Sequence, residues 1–109
     1  MAGVTESFSF TAPLWRWSAR QETADPSAWC FVTVPAEVSD EVRLRAGERR
    51  GFGSVRVRVE VGCSTWDTSV FPDDAGSGCF VLPVKKAVRR AEAVDVGDEL
   101  TVALQVRED

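Results

Sequence analysis

FVLPVKKAVRRAEAVDVGDELTVALQV, residues 80–106, decides the fold. It reads as a strand, a short basic helix, a Gly-Asp turn and a second strand. Cys79 to Leu82 is a short apolar run of the kind that forms a buried strand. Pro83 is expected to open the helix, because its fixed φ suits a first helical turn. Val84, Ala87, Val88 and Ala91 recur at helical spacing as an apolar stripe, with Lys85, Lys86, Arg89 and Arg90 on the polar side. Gly97-Asp98 then turns the chain. Leu100, Val102, Leu104 and Val106 alternate with Thr101, Ala103, Gln105 and Arg107, the period of a half-buried strand.

The same period recurs upstream. Val55, Val57, Val59 and Val61 alternate with Arg56, Arg58 and Glu60, one face for the core and one for water. Thr65 to Phe71 predicts a strand with Trp66, Thr68 and Val70 on one face. Ser7 to Trp17 predicts another, with Phe8, Phe10, Ala12 and Leu14 opposite Trp15 and Trp17; Pro13 points to an edge or a bulge. Trp29 to Val34 is dense in β-branched and aromatic residues, as a central strand would be. After Pro35, Val38 and Val42 stand four apart behind early acids, which predicts a short helix or helical turn. Residues 18–27, 47–53 and 72–78 read as loops, the pair Asp73-Asp74 as a turn. Six to seven strands with one or two short helices predict a mainly β, single-domain barrel or sandwich over residues 1–109.

Bulk composition sets limits on function. The chain has 109 residues, room for one domain and one core. No apolar run spans a bilayer, and MAGVTESFSF lacks the basic start and apolar stretch of a secretory leader, so a cytoplasmic protein with no membrane contact is expected. The formal net charge is −4, which disfavours nucleic acid as a partner. Histidine is absent, which removes Ser-His-Asp and Cys-His chemistry and imidazole metal ligation. The three cysteines, Cys30, Cys63 and Cys79, form no CxxC pair and lie in apolar segments, where buried reduced thiols are expected. A facing pair of Cys63 and Cys79 on neighbouring strands is left open. No metal, cofactor or catalytic residue is predicted.

The chain resembles the bacterial domain-of-unknown-function family numbered nineteen-oh-five. The blocks that carry the resemblance are Trp29 to Pro35, Gly53 to Val61, Trp66 to Pro72, Leu82 to Arg89, and Gly97-Asp98 with Leu100 and Val102. Their order and spacing cover nearly the whole chain. The resemblance implies a small double-split β-barrel, in some members fused to a bacteriocin-protection-type domain. It brings no established activity, and Cys63 after Gly62 departs from its pattern. A fainter similarity joins the proline, basic helix, Gly-Asp and strand to swapped-hairpin transcription factors of the AbrB and MazE type, which bind DNA as intertwined dimers. Val34 to Val38 is a rough first copy of the same start, and a chain with two such units could close a barrel alone.

Lys85, Lys86, Arg89 and Arg90 are the foremost candidate site, an anion site with Arg89 as a planar bidentate donor. The bland alternative is a solvated helix face balanced by Glu92, Asp95 and Asp98. Trp66, Thr68 and Ser69 are candidates for the wall of a polar pocket beside it, against a half-exposed strand. Arg43, Arg45, Arg49 and Arg50 form a second basic patch. The four tryptophans, Trp15, Trp17, Trp29 and Trp66, read as core fillers or, where exposed, as an interface. The expectation is a monomeric, non-enzymatic barrel that binds a small anionic ligand or a protein partner; the alternative is a nucleic-acid-binding regulator of the swapped-hairpin type.

Overall fold

Val55, Val57, Val59 and Val61 are buried in the computed structural model of the protein, and Arg56, Arg58 and Glu60 between them are exposed. The alternation is the physical origin of β3, because only an extended chain puts every second side chain on one face. The structure describes residues 7–16, 30–46, 53–73 and 78–107. Its elements run β1 (Ser7–Arg16), β2 (Cys30–Thr33), α1 (Ala36–Ala46), β3 (Val55–Val61), β4 (Ser64–Pro72), β5 (Phe80–Pro83), α2 (Lys86–Glu92) and β6 (Glu99–Val106). The strands close an antiparallel barrel in the order β1-β2-β5-β4-β3-β6. This is the mainly β architecture expected from the alternating segments. Trp17, Trp29, Arg49, Arg50 and Asp74, on which expectations above rest, lie outside the described residues.

The two longest strands each divide between two neighbours. β1 pairs with β6 from Ser7 to Pro13 and with β2 from Leu14 to Arg16. β4 pairs with β3 from Ser64 to Val70 and with β5 at Phe71 and Pro72. Pro13 pairs with Glu99 of β6, and the β2 ladder starts only at Leu14, so among the described residues it stands on a stretch of β1 paired on one flank, as a local edge would. It stands where the β1 ladder changes partner, the place where a missing N–H disturbs pairing least.

The register shows that the barrel is two similar halves. β1-β2-α1-β3 repeats as β4-β5-α2-β6. Val32 faces Leu82 at the β2–β5 seam, with Phe31 opposite Pro83 and Thr33 opposite Val81. Val34 N donates to Phe80 O, and Val84 N donates to Cys30 O, both at 2.9 Å. β3 and β6 meet at a second seam, with Val59 opposite Leu104 and Val61 opposite Val102, and the β1–β6 and β3–β4 ladders also join the halves. Both seams join one half to the other, so the single chain supplies the two units that a barrel needs.

The core is lined mostly by valine and leucine from all six strands, with Val42 and Val88 from the helices. Each such side chain contributes about 1.5–3 kcal/mol when fully buried. Ser39 is the buried polar residue among the described ones. Its hydroxyl donates to Val34 O and accepts from Phe80 N, both at 3.0 Å, which fastens α1 to the end of β2 and the start of β5.

Three expectations change. Pro83 does not open the helix: it closes β5 opposite Phe31, Lys85 is extended at φ −72° and ψ 160°, and α2 begins at Lys86. The β2–β5 seam needs Pro83 as strand, and that tertiary pairing overrides the local preference. The α2 stripe is accordingly narrower, with Val84 and Val88 buried but Ala87 and Ala91 exposed. The cysteines form no disulfide and differ in exposure: Cys30 is buried, Cys79 half-buried and Cys63 exposed in the β3–β4 turn. Cys63 precedes β4 and Cys79 pairs through its carbonyl with Asp73 N beyond the far end of β4. A nine-residue strand separates them, roughly 30 Å at strand rise, too far for a disulfide.

Candidate functional site

α2 places the predicted basic residues on its surface but does not gather them into a pocket. Lys85, Lys86 and Arg90 are exposed and carry no ion pair among the described residues. The acids expected to balance them are engaged elsewhere. Asp98 Oδ2 accepts from Asp95 N at 2.8 Å, and Asp95 Oδ1 accepts from Val96 N at 2.7 Å, both within the turn to β6. Glu92 reaches back to the β3–β4 turn, accepting from Ser64 Oγ at 2.6 Å and Cys63 N at 3.2 Å. Arg89 is half-buried, and its Nε donates to Val84 O at 3.2 Å. That is the bond Ser39 makes to Val34 O in the first half. Arg89 therefore serves the strand–helix junction with one of its donors.

Thr68 and Ser69 separate. Thr68 and Trp66 lie opposite Val57 and Val59, on the inner side of the barrel, and Trp66 packs against the core. Ser69 lies opposite Arg56 on the outer side. Neighbours on a strand face opposite ways, so the two hydroxyls cannot line one pocket. Trp15 is half-buried: its ring stacks on Phe31 at 5.1 Å and 26°, and Nε1 donates to Thr33 Oγ1 at 2.9 Å.

On the outer face, Asp67 accepts from Arg58 Nε at 2.9 Å and from Arg107 Nη1 at 2.5 Å. The Arg58 hydrogen bond holds the Asp67 carboxyl below its ordinary value of 3.8; desolvation opposes it, and the Arg107 hydrogen bond and the charges of both arginines add to the lowering. A carboxyl depressed in the folded state stabilises fully above its unfolded pKa and loses that contribution as pH falls through the folded one. The stability gap between wild type and Asp67→Asn should be full at neutral pH and close below about pH 4. Denaturant titrations across that range would read it, and a gap constant with pH would refute the assignment.

A concave site among the described residues lies elsewhere. A cleft of about 390 Å³ opens between the C-terminal half of α1, the end of β4 and the start of β5. Val55, Pro72 and Phe80 give its apolar wall; Gly53, Asp73, Gly78, Cys79 and Arg43 complete it. Val42 is buried at 0% exposure, which fixes α1 and turns the next residue, Arg43, over the cleft. The guanidinium is held three ways. Nη1 meets Asp40 Oδ1 at 2.9 Å, Nη2 donates to Gly78 O at 2.5 Å, and Cζ lies 5.1 Å over the Phe80 ring. Gly78 has φ +87°, a conformation that leaves its carbonyl to Arg43 and suits glycine.

Sequence reasoning placed Arg43 in a basic patch and Phe80 in a strand, but not together. The i, i+3 spacing of Asp40 and Arg43 was a visible signal for a held arginine. What it was held against depends on the β4–β5 pairing, which no local pattern encodes. Among the described residues, no group of three acids or cysteines is placed to hold a metal ion. Among the described residues, no helix is long and apolar enough to cross a membrane.

No curated protein matches the chain. The sequence from residue 10 to residue 104 matches the family described as Domain of unknown function (DUF1905), and the chain belongs to this family.

Proposed function

We propose that this barrel is a non-enzymatic binding module whose small-molecule ligand sits in the cleft beside Arg43. The observation that carries the reading is the combination of an apolar wall, Val55, Pro72 and Phe80, with one cation already oriented above it. Ligand sites are commonly concave and apolar with few placed polar groups. The volume, about 390 Å³, is at the small end of the range for such sites. The absence of histidine supports a binding role over acid–base catalysis.

The helix α2 offers a rival location, since Lys85, Lys86 and Arg90 are exposed. A thermal-shift screen of small anionic and neutral organic compounds separates the two. Ligand-induced stabilisation should disappear in Cys79→Phe, whose added ring occupies the cleft. It should persist in the triple variant Lys85→Ala, Lys86→Ala, Arg90→Ala. Stabilisation lost in the triple variant and kept in Cys79→Phe would move the site to α2. No stabilisation by any compound would reject small-molecule binding.

A further inference from the structure

We infer that the chain also forms a dimer in which two copies exchange halves through the β3–β4 turn, so that each cleft is built from two chains. The inference concerns which chain supplies each wall of the cleft and stands whether or not the cleft holds a ligand.

The strand pairing leaves each half incomplete. Among the described residues, strands of the first half pair with each other only where Leu14–Arg16 meet Cys30–Val32. Those of the second half do so only where Phe71 and Pro72 meet Val81 and Phe80. The other ladders run between halves. β3 lies between β4 and β6, both of the second half, and β6 lies between β1 and β3, both of the first. A half alone would leave the core valines of β3, or Leu100, Val102 and Leu104 of β6, without their neighbouring strands. It needs a complementary half, and the half of a second copy fits as well as its own.

The hinge is short. Val61 pairs with Ser64, so the chain reverses at Gly62 and Cys63 alone, with Gly62 at φ +58°. Two-residue hairpin turns require such a residue, and short hinge loops favour exchange. Opened, β3 and β4 continue as one strand and deliver the second half to the neighbour. Each barrel of the dimer repeats the ladders of the monomer, and the two states differ at the turn. The monomer is favoured at low concentration because its halves share one chain and meet at a high effective concentration.

The cleft lies across the exchange. Arg43 and Val55 come from the first half, Pro72 and Phe80 from the second. In the dimer Arg43 of one copy covers the partner's Phe80 and donates to the partner's Gly78 O, the contacts that it makes within one chain in the monomer.

The full chain is unfolded in urea, refolded at about 5 μM and about 1 mM, and sized by sedimentation velocity. The product should be monomeric at the lower concentration and contain a substantial dimer at the higher. Gly62→Val strains the closed turn, where its Cβ would lie 1.9 Å from Glu92 Oε1, but not an extended strand. Its dimer should appear at a concentration about a hundredfold lower. Deletion of Gly62 and Cys63 forbids the closed turn, so a folded product should be dimeric throughout. Isotope-filtered NMR on dimer refolded from mixed labelled and unlabelled chains identifies the exchange. Val59 of one copy should contact the partner's Leu104, a pair that meets within one chain in the monomer. A dimer without that contact is a surface association and would overturn the inference. So would a wild-type chain that refolds only as monomer at the higher concentration, whatever the variants do.

Discussion

Leu82→Ala should lower stability by about 3 kcal/mol, in the middle of the range for a fully buried leucine. Leu82 is 0% exposed and faces Val32 at the seam between the two halves. The lost methyl groups leave a cavity that β2 and β5 cannot close, since both are four-residue strands held by partners on either side. For a domain this size the melting temperature should fall by roughly 15 °C. Val81→Ala, one residue away on the half-exposed outer face, is the control and should cost less than about 1 kcal/mol. Equal losses at the two positions in urea titrations would show that the β2–β5 seam does not carry the core.

Gly62→Val is the second large effect, also about 3 kcal/mol, from two sources. Gly62 has φ +58°, a backbone conformation that costs a β-branched residue on the order of 1–3 kcal/mol. A Cβ there would also lie 1.9 Å from Glu92 Oε1. The Glu92 carboxylate must withdraw, and its bonds to Ser64 Oγ and Cys63 N go with it, about 1 kcal/mol each at most. A double-mutant cycle with Glu92→Ala isolates the second part. The Gly62 substitution should cost less once the carboxylate is gone, and strict additivity would mean that backbone strain alone accounts for the loss.

The valines of β3 and the alternation in β6 were legible because each strand has one face in the core and one in water. That pattern needs no knowledge of neighbours. Pro83 was misread because its role is set by Phe31, more than fifty residues upstream. The α2 stripe was drawn too wide for a related reason. Ala87 and Ala91 have helical spacing, but a seven-residue helix at the barrel surface buries only Val88. α1 shows the reverse: its pattern of Val38 and Val42 is short, yet Ser39, bonded to Val34 O and Phe80 N, and the buried Val42 hold eleven residues of helix against the barrel. The basic helix face was visible as composition, but not the commitment of Glu92 to the β3–β4 turn or of Arg89 to Val84 O. The cleft was invisible for the most basic reason, that Arg43 and Phe80 are adjacent only after the strands pair.

Closure of the sheet also decides how this protein can be recognised. Among the described residues β3 is paired on both flanks from Val57 to Val61, whereas Ser7–Pro13 of β1 and Ser64–Val70 of β4 are each paired on one flank. An extended peptide adds to a sheet by finding an open row of backbone donors and acceptors, and Val57–Val61 presents none. The run VRVRVEV, which would be a hazard for cross-chain stacking on an open edge, is thereby protected in the folded protein. A partner that meets β3 has to read its side chains, by shape and charge, because the backbone there is already paired.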